Sequence, residues 1–355
     1  MPPGDAEIPI FPTLLIIWRA SRKAVEKAVQ NWVREGATYT SGVASPFFFE
    51  LAGFLLGLLF GSFLNVCISR LPEHESIVTP RSRCMACGHT IWWYNNIPIL
   101  SWLLLRARCR DCNVRISWRY PAVELAVGLW FVIVLHSPVD ESFSFFGSAI
   151  GFVLKPAVSA QVLSVLTLGF LLIGLMVMDW QTQRLPDAFT LTGIGIGFVF
   201  TCVQAFFLAP GEGDIVLNPT HQLRLSSPGS FAAQGNVFLT GAEAMVLGRI
   251  AAIAGAALLL LGVRWLYKAF RKRDGMGLGD VKLLAMIAAF LGFGQSLVAL
   301  FVGVIVASVY GIALVIRRKA GAESKLPLGS FLAAGGLFAA LFGHPIVDWY
   351  VGLLR

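Results

Sequence analysis

The chain has 355 residues, of which 56% are hydrophobic and only 14% charged, with a mean hydropathy of +0.73. Soluble domains run at about 45–50% apolar and about 25% charged, so this composition excludes an ordinary soluble protein and points to a polytopic membrane protein. The net charge of +8 lies in loops between apolar segments. No base-reading motif or continuous basic face accompanies it, which argues against a nucleic-acid partner.

Residues 1–46 read as an N-terminal extension. Its apolar positions Leu15, Trp18, Val25, Val29 and Trp32 suit an amphipathic helix lying on a membrane surface, with an extra short crossing or a wrong start codon as alternatives. The apolar run Ile8–Trp18 precedes its charges and lacks a small-residue cleavage site, so it does not read as a cleavable signal. Candidate spans follow at 47–67, 120–136, 159–178, 189–208, 244–266, 281–293, 296–316 and 328–345. The fold class expected is an all-α polytopic membrane protein of about eight transmembrane helices, with 281–293 short for a full crossing. A small loop domain, 68–119, separates the first two spans; residues 120–355 form the main transmembrane domain. Segment 209–243, rich in Gly, Pro, Ser and Asn, is expected to be an irregular outer-loop insertion. The loop 68–119 carries eight basic residues, which places it on the cytoplasmic side, although the basic N-terminal extension then falls outside.

A loop of about 50 residues cannot bury much of a core and needs a staple. Cys84-Met85-Ala86-Cys87 and Cys109-Arg110-Asp111-Cys112 supply one, as two CxxC knuckles 21 residues apart. Four thiolates close a tetrahedral site suited to a structural zinc ion with no open position, and disulfides are the weaker reading for a cytoplasmic loop. Cys67 and Cys202 lie in or beside apolar segments and read as buried small hydrophobes.

Two aspartates stand at the edges of apolar segments. Asp179 follows the run Val162–Met178, and Asp280 ends the turn Gly277-Leu278-Gly279-Asp280 ahead of Lys282. A carboxylate at bilayer depth costs roughly 2.5–3.5 kcal/mol, so it signals function. A pair sharing one proton is the machinery of an aspartic protease, with one carboxyl as base and the other as acid. Gly277 and Gly279 permit the close backbone approach that an extended substrate needs. The plainer reading makes both aspartates helix caps. Asp187, after Pro186, reads as a turn or N-cap residue.

Gly61-Ser62-Phe63-Leu64-Asn65-Val66, Arg70-Leu71-Pro72, the two CxxC pairs, Asn96-Ile97-Pro98, Tyr120 to Leu125, Asp179 with Pro186-Asp187, Gly277 to Leu283 and Pro327-Leu328-Gly329 occur in this order. This series resembles bacterial prepilin peptidases, the type IV leader peptidases of the GxGD aspartic protease group. The resemblance implies removal of the leader from type IV prepilins or type II secretion pseudopilins at the cytoplasmic face of the bacterial inner membrane. It assigns the two catalytic roles to Asp179 and Asp280. It also implies N-methylation of the new N-terminus with S-adenosylmethionine, for which Asn65, Arg70, Asn96 and Glu124 are candidate residues. Two departures from the family pattern are the long N-terminal extension and the insertion 209–243. A GxGD peptidase without methyl transfer, a non-catalytic assembly protein with a zinc-ribbon docking loop, and a proton-relay transporter are the alternatives.

Overall fold

Apolar segments in lipid must satisfy every backbone polar group internally, and a chain of such segments folds as helices. The computed structural model describes residues 46–73, 75–79, 81–136, 156–207, 215–217, 223–225, 241–272, 277–317 and 327–354. The expected amphipathic segment 12–34 lies outside the described residues. The helices are α1 (Pro46–Arg70), α2 (Leu100–Leu104), α3 (Arg119–His136), α4 (Pro156–Thr182), α5 (Asp187–Phe207), α6 (Gly241–Arg271), α7 (Leu278–Leu291), α8 (Phe293–Ile316) and α9 (Leu328–Leu353). Between α5 and α6, Ile215–Leu217 (β1) pairs antiparallel with Leu223–Leu225 (β2), a short ribbon within the segment expected to be irregular. These elements fall in the unit Glu50–Arg355, apart from the first four residues of α1.

Among the described residues, seven helices are long and apolar enough to cross a membrane: α1, α3, α4, α5, α6, α8 and α9. The eighth predicted segment is α7, whose 14 residues rise about 21 Å, well short of a hydrocarbon core of about 30 Å. Its place explains its length and composition. Asp280, Val281 and every residue from Leu283 to Phe290 are buried, with α4, α5, α6, α8 and α9 packed around it. A helix apolar on all sides belongs in the middle of a bundle.

Small residues let the first two spans approach closely, the usual means of helix association in lipid. Gly53 meets Leu135, Gly57 meets Gly128, Gly61 meets Glu124, and Asn65 Nδ2 donates to the carbonyl of Tyr120 at 2.9 Å. The pairings run in opposite directions, so α1 and α3 are antiparallel. A Cβ on Gly61 would stand 2.6 Å from the Glu124 Cα, inside any tolerable contact. This register carries Arg70, at the end of α1, beyond the start of α3 and into the loop domain.

Candidate active site and metal centre

Asp179 lies three residues before the end of α4, and Asp280 is the third residue of α7. They are 5% and 9% exposed, too buried for ordinary surface caps. The fold brings their two helix ends together, within electrostatic reach of each other. Asp179 Oδ2 accepts the backbone N–H of Ser330 at 2.7 Å and lies 3.0 Å from the Ser330 hydroxyl. That hydroxyl is also 2.9 Å from the carbonyl of Met176, which fixes its position above the carboxylate. Gly329 makes the approach possible: a Cβ there would stand 3.0 Å from the Asp179 carboxyl carbon. Asp280 is served from its own turn, where extended Gly277 directs its N–H back to the carboxylate.

Leu185 joins the two halves. Its Cδ1 would meet a Cβ at Gly279 at 3.1 Å and one at Gly329 at 3.0 Å, so both glycines leave it room. Trp180 stacks edge-on against Tyr310 and Phe331, giving the site an aromatic flank. Lys282 does not turn toward the aspartate pair. Its Nζ is 2.6 Å from Asp187 Oδ1, tying the first turn of α7 to the first residue of α5. Asp187 therefore begins a helix, as its position after a proline predicts, and also holds an ion pair. Ser330 is the residue that sequence reasoning missed. Its signal was its place directly after Pro327-Leu328-Gly329, a stretch noted only as part of a motif series.

The cysteine loop is built from two copies of one turn. Gly88 N–H donates to the Cys84 carbonyl and Cys84 N–H to the His89 carbonyl, both at 2.9 Å. Asn113 N–H donates to Cys109 at 3.0 Å, and Cys109 N–H to Val114 at 2.9 Å, the same pattern shifted along the chain. Each knuckle ends in a left-handed residue, Gly88 (φ 69°) and Asn113 (φ 56°), the two residue types that adopt this conformation most readily. The knuckles meet so that the four sulfurs lie within 4.8 Å of one another, and Cys84 Sγ is 3.8 Å from Cys112 Sγ. Four sulfurs at about 2.3 Å from a tetrahedral ion are about 3.8 Å apart, so the donor set fits a metal of that geometry. The backbone N–H of Cys87 draws the Cys84 thiol down to about 7, toward the thiolate that a metal requires.

Between the metal loop and the membrane end of α1 and α3 lies a cavity of about 550 Å³. Asn65, Arg70, Asn96 and Glu124 all line it, together with Cys84 and Cys109. Four residues separated in sequence thus share one chamber. Glu124 Oε2 accepts the N–H of Ile99 at 2.7 Å, and Arg70 donates to the carbonyls of Ser76 at 2.9 Å and Arg81 at 3.4 Å. Asn65 spends its amide on Tyr120, while its buried Oδ1 has no hydrogen-bond partner among the described residues. Arg119 Nη1 donates to Gln181 Oε1, two residues beyond Asp179, which links the start of α3 to the aspartate site.

The family model described as the bacterial peptidase A24 N-terminal domain matches residues 55–137, and that of the type IV leader peptidase family matches residues 227–312. A "Prepilin leader peptidase/N-methyltransferase" of Aeromonas salmonicida (strain A449) is 30% identical over 334 residues, covering 87% of this chain and 96% of its own length. The chain belongs to the type IV leader peptidase family. Proteins of the same name from Aeromonas hydrophila and Stutzerimonas stutzeri are each 31% identical, over 86% and 88% of this chain and 95% and 97% of theirs. No solved structure matches. The protein is accordingly a multi-pass membrane protease with methyltransferase activity, and its four-cysteine cluster is a candidate metal site. The family match at 227–312 includes Asp280 but begins after Asp179 and runs across part of the insertion.

Proposed function

We propose that this enzyme removes the leader from type IV prepilins or type II secretion pseudopilins and methylates the newly exposed N-terminus, with Asp179 and Asp280 as its catalytic pair. One observation carries the peptidase assignment: two buried carboxylates from separate helices meet beside glycine-bared backbone at one end of the bundle. Two carboxyls at close quarters do not both ionise cheaply, so they share a proton. The ionised one takes a proton from water as it attacks the scissile carbonyl while the protonated one donates to the developing oxyanion; the carboxyl that took the water's proton then gives it to the leaving amine, and the other recovers its proton as the carbonyl re-forms and the C–N bond breaks. Ser330 holds Asp179 in place through two donors, Gly279 and Gly329 let Leu185 and the Asp179 carboxyl pack close, and Gly277 is the one of the three glycines that leaves room for an extended substrate. Lys282 supports the turn by anchoring it to Asp187.

Residues 120–355 form the peptidase domain, with 209–243 as an outer-loop insertion. Residues 68–119 form a methyltransferase-associated domain held by a structural zinc ion on Cys84, Cys87, Cys109 and Cys112. The cavity lined by Asn65, Arg70, Asn96 and Glu124 would hold S-adenosylmethionine, which supplies an activated methyl group. The Glu124 carboxylate offers an acceptor for a cationic ligand rich in N–H groups, and Arg70 offers a guanidinium for its carboxylate. The basic loops orient this end of the bundle toward the cytoplasm of a bacterial inner membrane.

Mass spectrometry of a peptide with a basic leader, Gly-Phe junction and apolar helix, incubated in detergent with enzyme and S-adenosylmethionine, tests both activities. Loss of the leader with a gain of about 14 Da supports the full reading. Asp179→Asn and Asp280→Asn should each lower cleavage by at least ~10³-fold without changing the melting temperature appreciably. Full turnover in either variant overturns the aspartate assignment, and an unmethylated cleaved product removes the methyl-transfer half.

A further inference from the structure

The five-residue helix α2 has two unlike faces. Ser101 is buried, its hydroxyl accepting from Ile97 N–H at 2.9 Å and donating to the Tyr94 carbonyl at 3.2 Å. Trp102 donates its indole N–H to the Ile116 carbonyl at 3.3 Å and lines the cavity. On the other side, Leu100, Leu103 and Leu104 are 47%, 58% and 74% exposed, at the i, i+3, i+4 spacing that makes one stripe. Three bare leucines on a helix this short demand an apolar neighbour, and none among the described residues covers them.

The depth at which α2 is held identifies that neighbour. Ile99, the residue before the helix, donates its N–H to Glu124 Oε2 at 2.7 Å. Glu124 lies five residues into α3, about 7.5 Å along the axis. Because α3 has only 18 residues, about 27 Å, almost all of it must lie within a hydrocarbon core of about 30 Å. Glu124 is therefore at membrane depth, and the start of α2 is pinned near the same level. The pin costs conformational energy, since β-branched Ile99 takes φ of 57° to reach it. At its other end α2 is stopped by Arg106 and Ala107, again with positive φ (51° and 58°), and the chain turns away into exposed Arg108 and Arg110. Trp118, 74% exposed, sits just ahead of α3. Tryptophan and arginine beside a leucine stripe are the composition of a membrane interface.

We propose that α2 is an interfacial helix, inserting Leu100, Leu103 and Leu104 into the acyl boundary of an anionic leaflet while Arg106 and Arg108 meet lipid phosphates. The cavity is then walled from the bilayer by this single helix, with Ser101 and Trp102 on its inner side. The inference rests on geometry alone and holds whatever ligand the cavity takes.

Full-length protein in liposomes containing anionic lipid is labelled in parallel with a lipid-phase carbene reagent and with aqueous hydroxyl radicals, and the modified peptides are quantified. Val78, 80% exposed in the same loop, sets the aqueous ratio of the two labels, and Phe301, 67% exposed on the apolar helix α8, sets the lipid ratio. A ratio for Leu100–Leu104 nearer that of Phe301 is the expected result. A ratio nearer that of Val78 places α2 in water and overturns the proposal. Both references come from the unaltered protein, so no variant has to fold.

Discussion

Ser330 positions Asp179 in a way that no inspection of the sequence would single out, because a serine in the first turn of an apolar helix is unremarkable until the partner, 151 residues away, is seen. Ser330→Ala keeps the backbone donor and loses the hydroxyl, so kcat should fall about tenfold, equivalent to about 1.4 kcal/mol, with KM little changed. Ser330→Thr should recover most of it, and a Ser330→Ala enzyme of full activity would remove the residue from the site. The Lys282–Asp187 pair, 95 residues apart, is also long-range and equally invisible in sequence. Its side chains are 32% and 61% exposed, so solvent screens it heavily. Lys282→Met should cost less than ~1 kcal/mol of stability by thermal unfolding while cleavage persists. The aspartates themselves were legible because charge in an apolar run is conspicuous, whereas their supporting partners are ordinary residue types whose meaning comes only from tertiary contact.

Among elements, the gathering of the four cysteines was legible, since the ligand spacing and the small loop already suggest a metal-sized site. Their twofold repetition of hydrogen bonds and left-handed terminal residues was not, because Gly88 and Asn113 look like any turn residues. On the proposed zinc site, Cys84→Ser or Cys109→Ser should lower the metal content relative to the unaltered protein, read by elemental analysis, and reduce methyl transfer more than cleavage; an unchanged metal content would contradict the four-sulfur site. The glycine stripe of α1 makes a second prediction at this scale. Gly61→Leu forces Glu124 away from its close packing, so it should impair methyl transfer while leaving leader removal largely intact. The short helix α7 was placed two or three residues late by hydropathy alone, because Leu278-Gly279-Asp280 at its start mixes a turn signature with a helical conformation.

Across the whole molecule, hydropathy revealed the all-helical class and the order of its spans, but not that one short helix would be enclosed by five others. That arrangement depends on helix–helix packing and leaves no periodicity to detect. The insertion 209–243 joins the ends of α5 and α6 that lie far along those helices from Asp187 and the aspartate site. Replacing residues 210–240 with a short flexible linker should therefore leave kcat within about twofold. The Arg119–Gln181 hydrogen bond, joining the entrance of α3 to the end of α4, puts the aspartate pair and the Asn65–Glu124 cavity at the same end of the bundle. With the cavity as the proposed methyl-transfer site, a product anchored in the bilayer by its apolar helix searches for it in two dimensions, at the same end of the bundle. Its effective concentration there is correspondingly high. Cleaved but unmethylated product should thus remain scarce throughout a reaction in liposomes, even with substrate in large excess.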